Sequence, residues 1–538
     1  MKSMYKLFYA ILIAGLFLVS CDGEFDSLVD ANAERNPIPD MEVEASQGDA
    51  DLSNFVSIGN SLTAGFMDGA LYNNGQRFSL GALLSGQFEH TGAPSVFNQP
   101  NINSVNGCNS VIQGNCQSVN PLGRFKLDTD IPGPSPTASG DPISGYDGEA
   151  SSLNNFGVPG IRVGGLIEPQ VGNPNSALFN PYYARFASSP GASTVIDDVI
   201  SANPTFFTLW AGNNDVLGYA LSGATNPNAL TSSEDFQNQF QVVIQQLIEN
   251  TSASGVVANI PPILAVPVFR AVPYNAVPLD EQTATQLNNN FQAFNSVLDG
   301  LAGSPFFDFD EEDAERRKVS YQAGNNPILT VDPNLKDLSP EFDQLRALGQ
   351  ISEEQRAALQ PYVQARQLQQ GELVLLSAAA VLGTLAVPDN PNTPIGVAIP
   401  LGAEFTLTME NLVEIETARQ TFNAIIEGVV TSANAAGNRL ALYDTNRPDG
   451  AFGQIFGLDG STPGITIDGV RLQPDFSPNG VFSTDGVHPN PRGTAILANE
   501  FIRVIESEFN AVIPRVDVLA LPGVSLCAGD CAGQQAGS

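Results

Sequence analysis

The chain has 538 residues, of which 42% are hydrophobic, so it can bury a large core. It carries 57 acidic residues against 23 basic ones, a formal net charge of −34. Such a negative field repels nucleic acid phosphates, and the composition therefore argues against DNA and RNA as partners.

The first 20 residues have the pattern of an export leader. Lys2 and Lys6 precede an apolar run from Leu7 to Val19. That run is too short to cross a bilayer as a helix, which needs roughly 20 apolar residues. A basic start followed by a short apolar region is typical of a secretory signal, and we predict a signal peptide over residues 1–20.

The leader ends in L-V-S-C, whose last letter is Cys21. This ending resembles the lipobox of bacterial lipoproteins, in which the cysteine becomes the lipidated first residue of the mature chain. The resemblance implies an exported lipoprotein, anchored through Cys21 in the outer membrane on its periplasmic or surface face. Residues 21–50 are acidic and poor in periodic apolar residues, which predicts a tether. The alternative is an ordinary secretory leader with an incidental cysteine.

Residues 55–66 read F-V-S-I-G-N-S-L-T-A-G-F. The β-branched run predicts a strand that ends at Gly59, followed by a turn through Ser61 and a helix. Ser61 has two interpretations, a helix N-cap or a nucleophile. The stretch differs from the G-x-S-x-G elbow of α/β-hydrolases, because Thr63 stands where that motif needs glycine.

Residues 68–150 are crowded with Gly, Asn, Ser and Pro, which predicts long loops. They include Cys108 and Cys116, while Cys527 and Cys531 lie near the end of the chain. Four cysteines allow three pairings, and two local bridges are the simplest choice in an oxidising compartment. A zinc site is the weaker alternative, because neither spacing is C-x-x-C and no histidine lies close in sequence.

Strand-like runs alternate with helical patterns through the rest of the chain. Strands are predicted over 55–58, 205–211, 255–260 and 440–444, and helices over 280–298 and 491–505. This alternation predicts an α/β fold, a parallel sheet with helices on both faces.

Residues 305–410 interrupt the alternation. They contain a predicted helix over 352–366 with an N-cap at its first residue, and an apolar run from Leu373 to Leu382. Two similar amphipathic segments, 292–301 and 420–429, flank them. We predict two helices around a cap-like insertion, whose apolar run either forms a wall of the site or packs on the outer helices.

The chain has two histidines, His90 and His488. His488 follows Asp485 by three residues in D-G-V-H-P-N and directly precedes the last predicted helix. A three-residue offset on one turn can bring the carboxylate to the imidazole. A serine nucleophile needs such a base and such an orienting acid, so Ser61, His488 and Asp485 form a candidate triad. His90 has no assigned role.

Four motifs together resemble the SGNH, or GDSL, hydrolases. They are I-G-N-S-L with Ser61, N-F-G-V-P-G ending at Gly160, A-G-N-N-D with Asn214, and D-G-V-H-P-N with Asp485 and His488. Each alone could arise by chance in a chain this long, but all four occur in the order of the family. The resemblance covers roughly residues 51–170, 200–300 and 415–510. One departure is Asn60, where the name-giving motif has aspartate.

The resemblance implies a three-layer, flavodoxin-like α/β/α sandwich with a parallel sheet of about five strands. The hydrolase domain would span residues 51–515, followed by a tail over 516–538. The leader, the insertion and the last motif are most similar to lipoprotein members of Bacteroidetes type.

The family also implies a serine esterase or lipase without a cofactor or a metal. Ser61 would attack an ester carbonyl, His488 would take its proton and Asp485 would hold the imidazole. The oxyanion would be bound by the backbone N–H groups of Ser61 and Gly160 and by the side chain of Asn214. The substrate would be a small-molecule, lipid or carbohydrate ester, and the oligomeric state is left open.

Two other functions compete with this one. A catalytically silent surface lipoprotein that binds glycans or lipids would keep the fold without the activity. A metal-dependent hydrolase would use the acidic run D-F-D-E-E-D at 308–313, but that run lacks the glycine at the sixth position of a calcium loop.

Overall fold

The computed structural model describes residues 44–527, apart from residues 95, 115, 117–119, 129, 131, 132 and 438. The predicted leader, the lipidation candidate Cys21, residues 21–43 of the predicted tether and Cys531 lie outside the described residues. Among the described helices, none combines the length and the apolar character that crossing a bilayer requires.

The strands in chain order are β1 (Phe55–Gly59), β2 (Phe125–Asp128), β3 (Gly133–Pro136), β4 (Asn155–Gly157), β5 (Phe206–Trp210), β6 (Ser254–Ala258), β7 (Val277–Leu279), β8 (Gly324–Asn326), β9 (Leu329–Val331), β10 (Ala365–Gln367), β11 (Leu373–Val374), β12 (Thr406–Leu407), β13 (Leu440–Tyr443), β14 (Ile465–Ile467), β15 (Val470–Leu472) and β16 (Leu526–Cys527).

The α-helices in chain order are α1 (Ser61–Ala64), α2 (Asn73–Arg77), α3 (Leu80–Phe88), α4 (Ser110–Gln113), α5 (Pro181–Ala184), α6 (Val195–Ser201), α7 (Asn214–Leu221), α8 (Ser233–Asn250), α9 (Glu281–Ala302), α10 (Glu311–Arg317), α11 (Ser339–Ala347), α12 (Glu353–Leu359), α13 (Met409–Ala435), α14 (Ala451–Phe456) and α15 (Pro491–Phe509).

The central sheet has five strands in the order β13-β6-β5-β1-β4, and every neighbouring pair is parallel. All residues of β1 and β5 are buried, as expected for the middle of a parallel sheet covered on both faces. The four predicted strands are confirmed as β1, β5, β6 and β13. The edge strand β4 was not predicted, because N-F-G is only three residues long and contains two poor strand formers.

Two groups of helices complete a three-layer α/β/α sandwich. The last helix, α15, packs on α3, β6 and β13, and its Phe501 ring lies 5.7 Å from Trp210 and 4.9 Å from Tyr443. The helices α6, α8 and α13 form the second group, where Phe236 stacks on Phe422 at 4.1 Å between ring centroids. The predicted fold class is confirmed.

The region predicted as long loops, 68–150, contains three α-helices, α2, α3 and α4, and the strands β2 and β3 among its described residues. Ser79 caps α3 by accepting a hydrogen bond from the N–H of Ala82, and Leu80, Leu84 and Phe88 are buried along it. The prediction was wrong there because burial of these three side chains outweighs the weak helix propensity of a glycine-containing segment.

The compact core extends past both predicted limits of the hydrolase domain, 51 and 515. Ser46 N–H donates to the carbonyl of Val512 at 2.9 Å, and Ala50 is buried in the main core. At the other end Val518 is buried in the same core, and β16 pairs with β2. Residues 46–50 and the described part of the tail therefore belong to the folded unit.

The two helices predicted to flank the insertion are confirmed as α9 and α13. The insertion builds its own apolar cluster on α9. Ser352 caps α12 in a capping box with Gln355, as predicted, but the helix ends at Leu359 instead of continuing to residue 366. Pro361 follows in the next turn, where its ring and missing N–H prevent continuation of an α-helix.

The apolar run of the insertion, Leu373 to Leu382, is buried at its beginning and partly exposed toward its end. Leu373 and Leu375 belong to the main core, while Val374 and Ala378 lie in a small separate cluster. Residues 376–380 contact residues 267–269. The run thus packs on a neighbouring loop, and within the described part of the chain 305–410 contribute no residue to the lining of the two cavities described below at Ser61.

Gly157 in β4 fixes how closely α1 approaches the sheet. A Cβ atom at this position would lie 2.3 Å from the backbone nitrogen of Ala64, so Gly157→Ala must displace α1. We expect the free energy of unfolding to fall by about 1–3 kcal/mol, measured by denaturant unfolding.

Gly86 in α3 provides the matched control. A Cβ atom there meets no heavy atom within 4 Å, so Gly86→Ala should raise the free energy of unfolding by about 0.5–1 kcal/mol through helix propensity. Equal effects of the two alanines would contradict the close packing of α1 on β4.

Candidate active site

Ser61 lies where β1 turns into α1 at the carboxyl end of the sheet. Gly59 permits the turn, since a Cβ atom there would lie 2.4 Å from the carbonyl oxygen of Trp210. The Asn60 side chain caps α1 by accepting from the N–H of Leu62 at 3.0 Å. Asn60 and not Ser61 is therefore the N-cap. Ser61 is the first helical residue, whose N–H has no acceptor within the helix.

The structure brings the three candidate triad residues together. His488 Nδ1 lies 2.9 Å from Asp485 Oδ2, and His488 Nε2 lies 2.8 Å from Ser61 Oγ. With the Nδ1 proton donated to the carboxylate, Nε2 is the acceptor of the serine hydroxyl proton. The arrangement allows His488 to take the hydroxyl proton of Ser61 while Ser61 Oγ forms a bond to an electrophilic atom.

Asp485 accepts four hydrogen bonds. Its Oδ1 accepts from the N–H groups of Val487 and His488, each at 2.9 Å, and its Oδ2 accepts from the imidazole and from the N–H of Gly69 at 2.9 Å. Burial opposes ionisation of this carboxyl, but the charge and the hydrogen bonds of His488 outweigh burial and lower its pKa to about 2. The carboxyl is therefore ionised at neutral pH.

The turn that carries Asp485 and His488 is fixed from three sides. Asn490 caps α15 by accepting from the N–H of Gly493 at 3.1 Å. Gly486 has a φ of 73°, in the left-handed region, and its carbonyl accepts from the N–H of Val268 at 2.8 Å. The Phe66 ring packs on the imidazole at 4.9 Å. These contacts keep the imidazole aimed at Ser61.

Asn214 and Gly160 lie beside Ser61, as part of the lining of one wide opening of about 1040 Å³ including its mouth. Asn214 Nδ2 donates one proton to the carbonyl of Ile161 at 2.8 Å, which orients the amide and leaves its second proton for a ligand. Gly160 is exposed, with φ of 77° and no heavy atom within 4 Å of an added Cβ. Backbone conformation, not crowding, thus favours glycine here.

Asp215 ties these two segments together. It is fully buried, and it accepts from the N–H of Val163 at 3.0 Å and from the hydroxyl of Thr231 at 2.8 Å. Burial raises its pKa to about 6 despite these bonds. The motif A-G-N-N-D contains this residue, but its spacing alone does not indicate what the last aspartate contacts.

Asp68 is a buried carboxylate that the sequence analysis missed. It accepts from the N–H and the hydroxyl of Thr484, at 3.0 and 2.7 Å, and from the hydroxyl of Tyr72 at 2.7 Å. Its own N–H donates to Ser483 Oγ at 3.0 Å. Asp68 therefore links the loop after α1 to the two residues that precede Asp485.

Arg124 neutralises this second carboxylate. Its Nη1 lies 3.3 Å from Asp68 Oδ2 and 3.2 Å from Ser525 Oγ, and its guanidinium covers the Tyr72 ring at 4.6 Å. Asp68 has a φ of 56°, which asparagine and aspartate adopt more readily than most residues. The D-G pair at 68–69 was a turn signal, but nothing in the sequence connects it with Arg124.

The cysteines, His90 and the acidic run 308–313 take no part in the hydrogen bonds described for Ser61, His488 and Asp485. Cys108 and Cys116 form a disulfide, and Cys527 is also disulfide-bonded. His90 is exposed on the surface. In the acidic run 308–313, Asp310 caps α10 by accepting from the N–H of Asp313. The described residues contain no group of three or more His, Cys, Asp or Glu side chains placed to hold a metal ion.

Asp68→Asn tests whether the ion pair between Asp68 and Arg124 stabilises the segment that precedes Asp485. Asparagine keeps the shape and tolerates the left-handed backbone, but it leaves the mostly buried Arg124 without its counter-charge. We expect a loss of about 3–5 kcal/mol in the free energy of unfolding, and slower reaction of Ser61 with a fluorophosphonate probe. The double variant Asp68→Asn/Arg124→Gln should recover part of the stability, since it removes both charges. Additive losses would contradict a direct interaction.

Asp485→Asn tests the depressed pKa. The native carboxyl has the lower pKa, so its stabilising contribution is complete above the unfolded value near 4 and is lost as pH falls toward about 2. We expect the stability difference between wild type and variant to shrink by about 2 kcal/mol over that window, measured by denaturant unfolding. If the difference in free energy of unfolding between wild type and Asp485→Asn did not change with pH, the lowered pKa of Asp485 would be contradicted.

No family model, curated protein or solved structure matches this chain. The geometry of Ser61, His488 and Asp485 is therefore the observation from which a function is inferred.

Proposed function

We propose that the protein is a serine ester hydrolase of the SGNH type. The observation that carries the proposal is the continuous hydrogen-bonded series Asp485–His488–Ser61, with 2.9 Å and 2.8 Å between successive partners. A nucleophile within reach of a base, and a base oriented by a third group, is the arrangement that acyl transfer to a hydroxyl requires.

In the proposed reaction, Ser61 Oγ attacks the carbonyl carbon of the ester while His488 Nε2 takes the hydroxyl proton. The carbonyl π-electrons move to oxygen, and the oxyanion is met by the N–H groups of Ser61 and Gly160 and the free amide proton of Asn214. Collapse of this intermediate expels the alcohol, which receives the proton from His488. Water then attacks the acyl-serine with the same base, releasing the acid and restoring Ser61.

The positions of the oxyanion donors support this chemistry. Ser61 N–H stands at the start of α1, where helical N–H groups attract negative charge. Asn214 adds a donor without adding a charge, and its amide is already oriented by Ile161. Preorganised donors of this kind are the largest single contribution in many acyl-transfer enzymes.

The silent lipoprotein that binds glycans or lipids is the less favoured function. A protein that only binds has no need for an imidazole aligned between a buried carboxylate and a serine. The proposed export, the lipid anchor at Cys21 and the outer-membrane location remain proposals from the sequence, since those residues lie outside the described ones. The leader and the acidic tether support them.

The test is ester hydrolysis by the mature protein and two variants. Ser61→Ala should abolish turnover of p-nitrophenyl esters. Asn214→Ala should lower kcat by about 10²–10³, with a smaller change in KM, because its amide acts chiefly on the oxyanion of the transition state. Asn175→Ala, at an exposed loop position, is the control and should leave kcat unchanged. Wild-type rates in Ser61→Ala would overturn the proposed function.

A further inference from the structure

A second, narrower cavity also reaches Ser61. Its inner walls are apolar side chains of β5, of the loop after β6, of α14 and of α15, namely Trp210, Ile263, Val266, Phe452, Ile455 and Leu497. The space measures about 680 Å³ including its open mouth, and it is more enclosed than the wide opening.

The polar side chains that line this cavity are those of Ser61, His488 and Asn214 and of the chain neighbours Asn60 and Asn213. No Asp, Glu, Lys or Arg is among the described residues that line it, although the chain as a whole carries 57 acidic residues. A cavity with apolar walls favours a hydrocarbon chain and offers nothing to the hydroxyl groups of a sugar, which would lose their hydrogen bonds to water.

The wide opening is also lined largely by apolar side chains, among them Phe66, Phe179 and Leu221, but it is larger and more open to solvent than the narrow cavity. Unlike the narrow cavity, it includes Ser110, Asn180 and Asp485. In acyl transfer the alcohol departs first, whereas the acyl chain stays attached to the serine until water enters. The alcohol therefore needs a route to solvent, and the acyl chain needs a place to remain.

We propose that the narrow cavity holds the acyl chain of the substrate and that the protein acts on esters of medium-length aliphatic acids. The inference rests on the proposed function and deepens it. The Ser61 Oγ atom marks the position of the carbonyl carbon, and the chain extends from there between Trp210 and Ile263. The alcohol lies in the wide opening beside Gly160.

Trp210 makes the cavity observable without turnover, because it is the single tryptophan of the chain and is 1% exposed. In the Ser61→Ala variant, methyl 8-bromooctanoate should quench tryptophan emission in a saturable manner, since bromine quenches an indole only on contact. Methyl octanoate should compete and restore the emission. Unchanged emission up to the solubility limit of the bromoester overturns the inference, whether or not the protein hydrolyses esters.

Kinetics distinguish the acyl side from the alcohol side. For wild type, kcat/KM should rise about fourfold per added methylene between acetate and octanoate esters of p-nitrophenol, and it should not rise with the alcohol from ethyl to octyl acetate. A rise in the alcohol series alone, or the best rate with acetate, overturns the assignment. Absence of any hydrolysis refutes the proposed function instead, and the fluorescence result still decides the cavity.

Val266→Trp fills the narrow cavity from a position outside the triad. It should reduce the octanoate-to-acetate ratio of kcat/KM at least tenfold. The matched control is Val413→Trp on α13, at a position that is 63% exposed and absent from the lining of both cavities, and it should keep the wild-type ratio. Equal ratios in the two variants overturn the inference. If Val266→Trp does not fold, the wild-type series and the quenching assay decide.

Discussion

The Asp485 carboxylate is the group on which the rest of the site depends. A buried charge is tolerated only when its lone pairs are satisfied, and its four donors come from the imidazole, from its own turn and from Gly69 in the loop after α1. The same four bonds that stabilise the charge therefore fix the imidazole and join two segments more than 400 residues apart. Preorganisation of the base follows from satisfying this one carboxylate.

Local chemistry explains which parts could be predicted from the sequence. The strands β1, β5, β6 and β13 are short, mainly apolar runs that end in turn residues, and the Asp485–His488 pair closes within one turn. Ser61 stood out because a predicted strand ends at Gly59, two residues before it. Each of these signals is contained in fewer than about ten consecutive residues, within the reach of periodicity and turn rules.

The parts that escaped prediction depend on distant partners. The edge strand β4 exists because β1 offers it a hydrogen-bonding edge, and α3 exists because three of its side chains are buried. Asp68 and Arg124 are 56 residues apart, and neither has a local pattern that indicates a buried pair. The early end of α12 is different, because Pro361 is a local signal in the sequence that ends a helix.

The insertion contacts a loop that lines both cavities. Residues 376–380 contact 267–269, and the same loop contributes Val266 to the narrow cavity and Val268 to the wide one. Close-packed interiors transmit small displacements, so a change in the apolar run of the insertion would shift both cavity walls together. Within the insertion, Arg366 forms buried ion pairs with Asp332 and Glu372. These pairs hold the three segments together, because moving any one member would leave a buried charge unpaired.

The net charge of the whole chain favours release of the product in the proposed reaction. A neutral ester approaches the site without opposition from a net charge of −34, whereas the acid that forms ionises at neutral pH and is repelled by the same field. No Lys or Arg is among the described residues that line the narrow cavity, and Asn60 leaves the serine turn without the negative charge that an aspartate would add. Apolar burial therefore favours binding of the ester, and electrostatic repulsion favours departure of the product once its charge has formed.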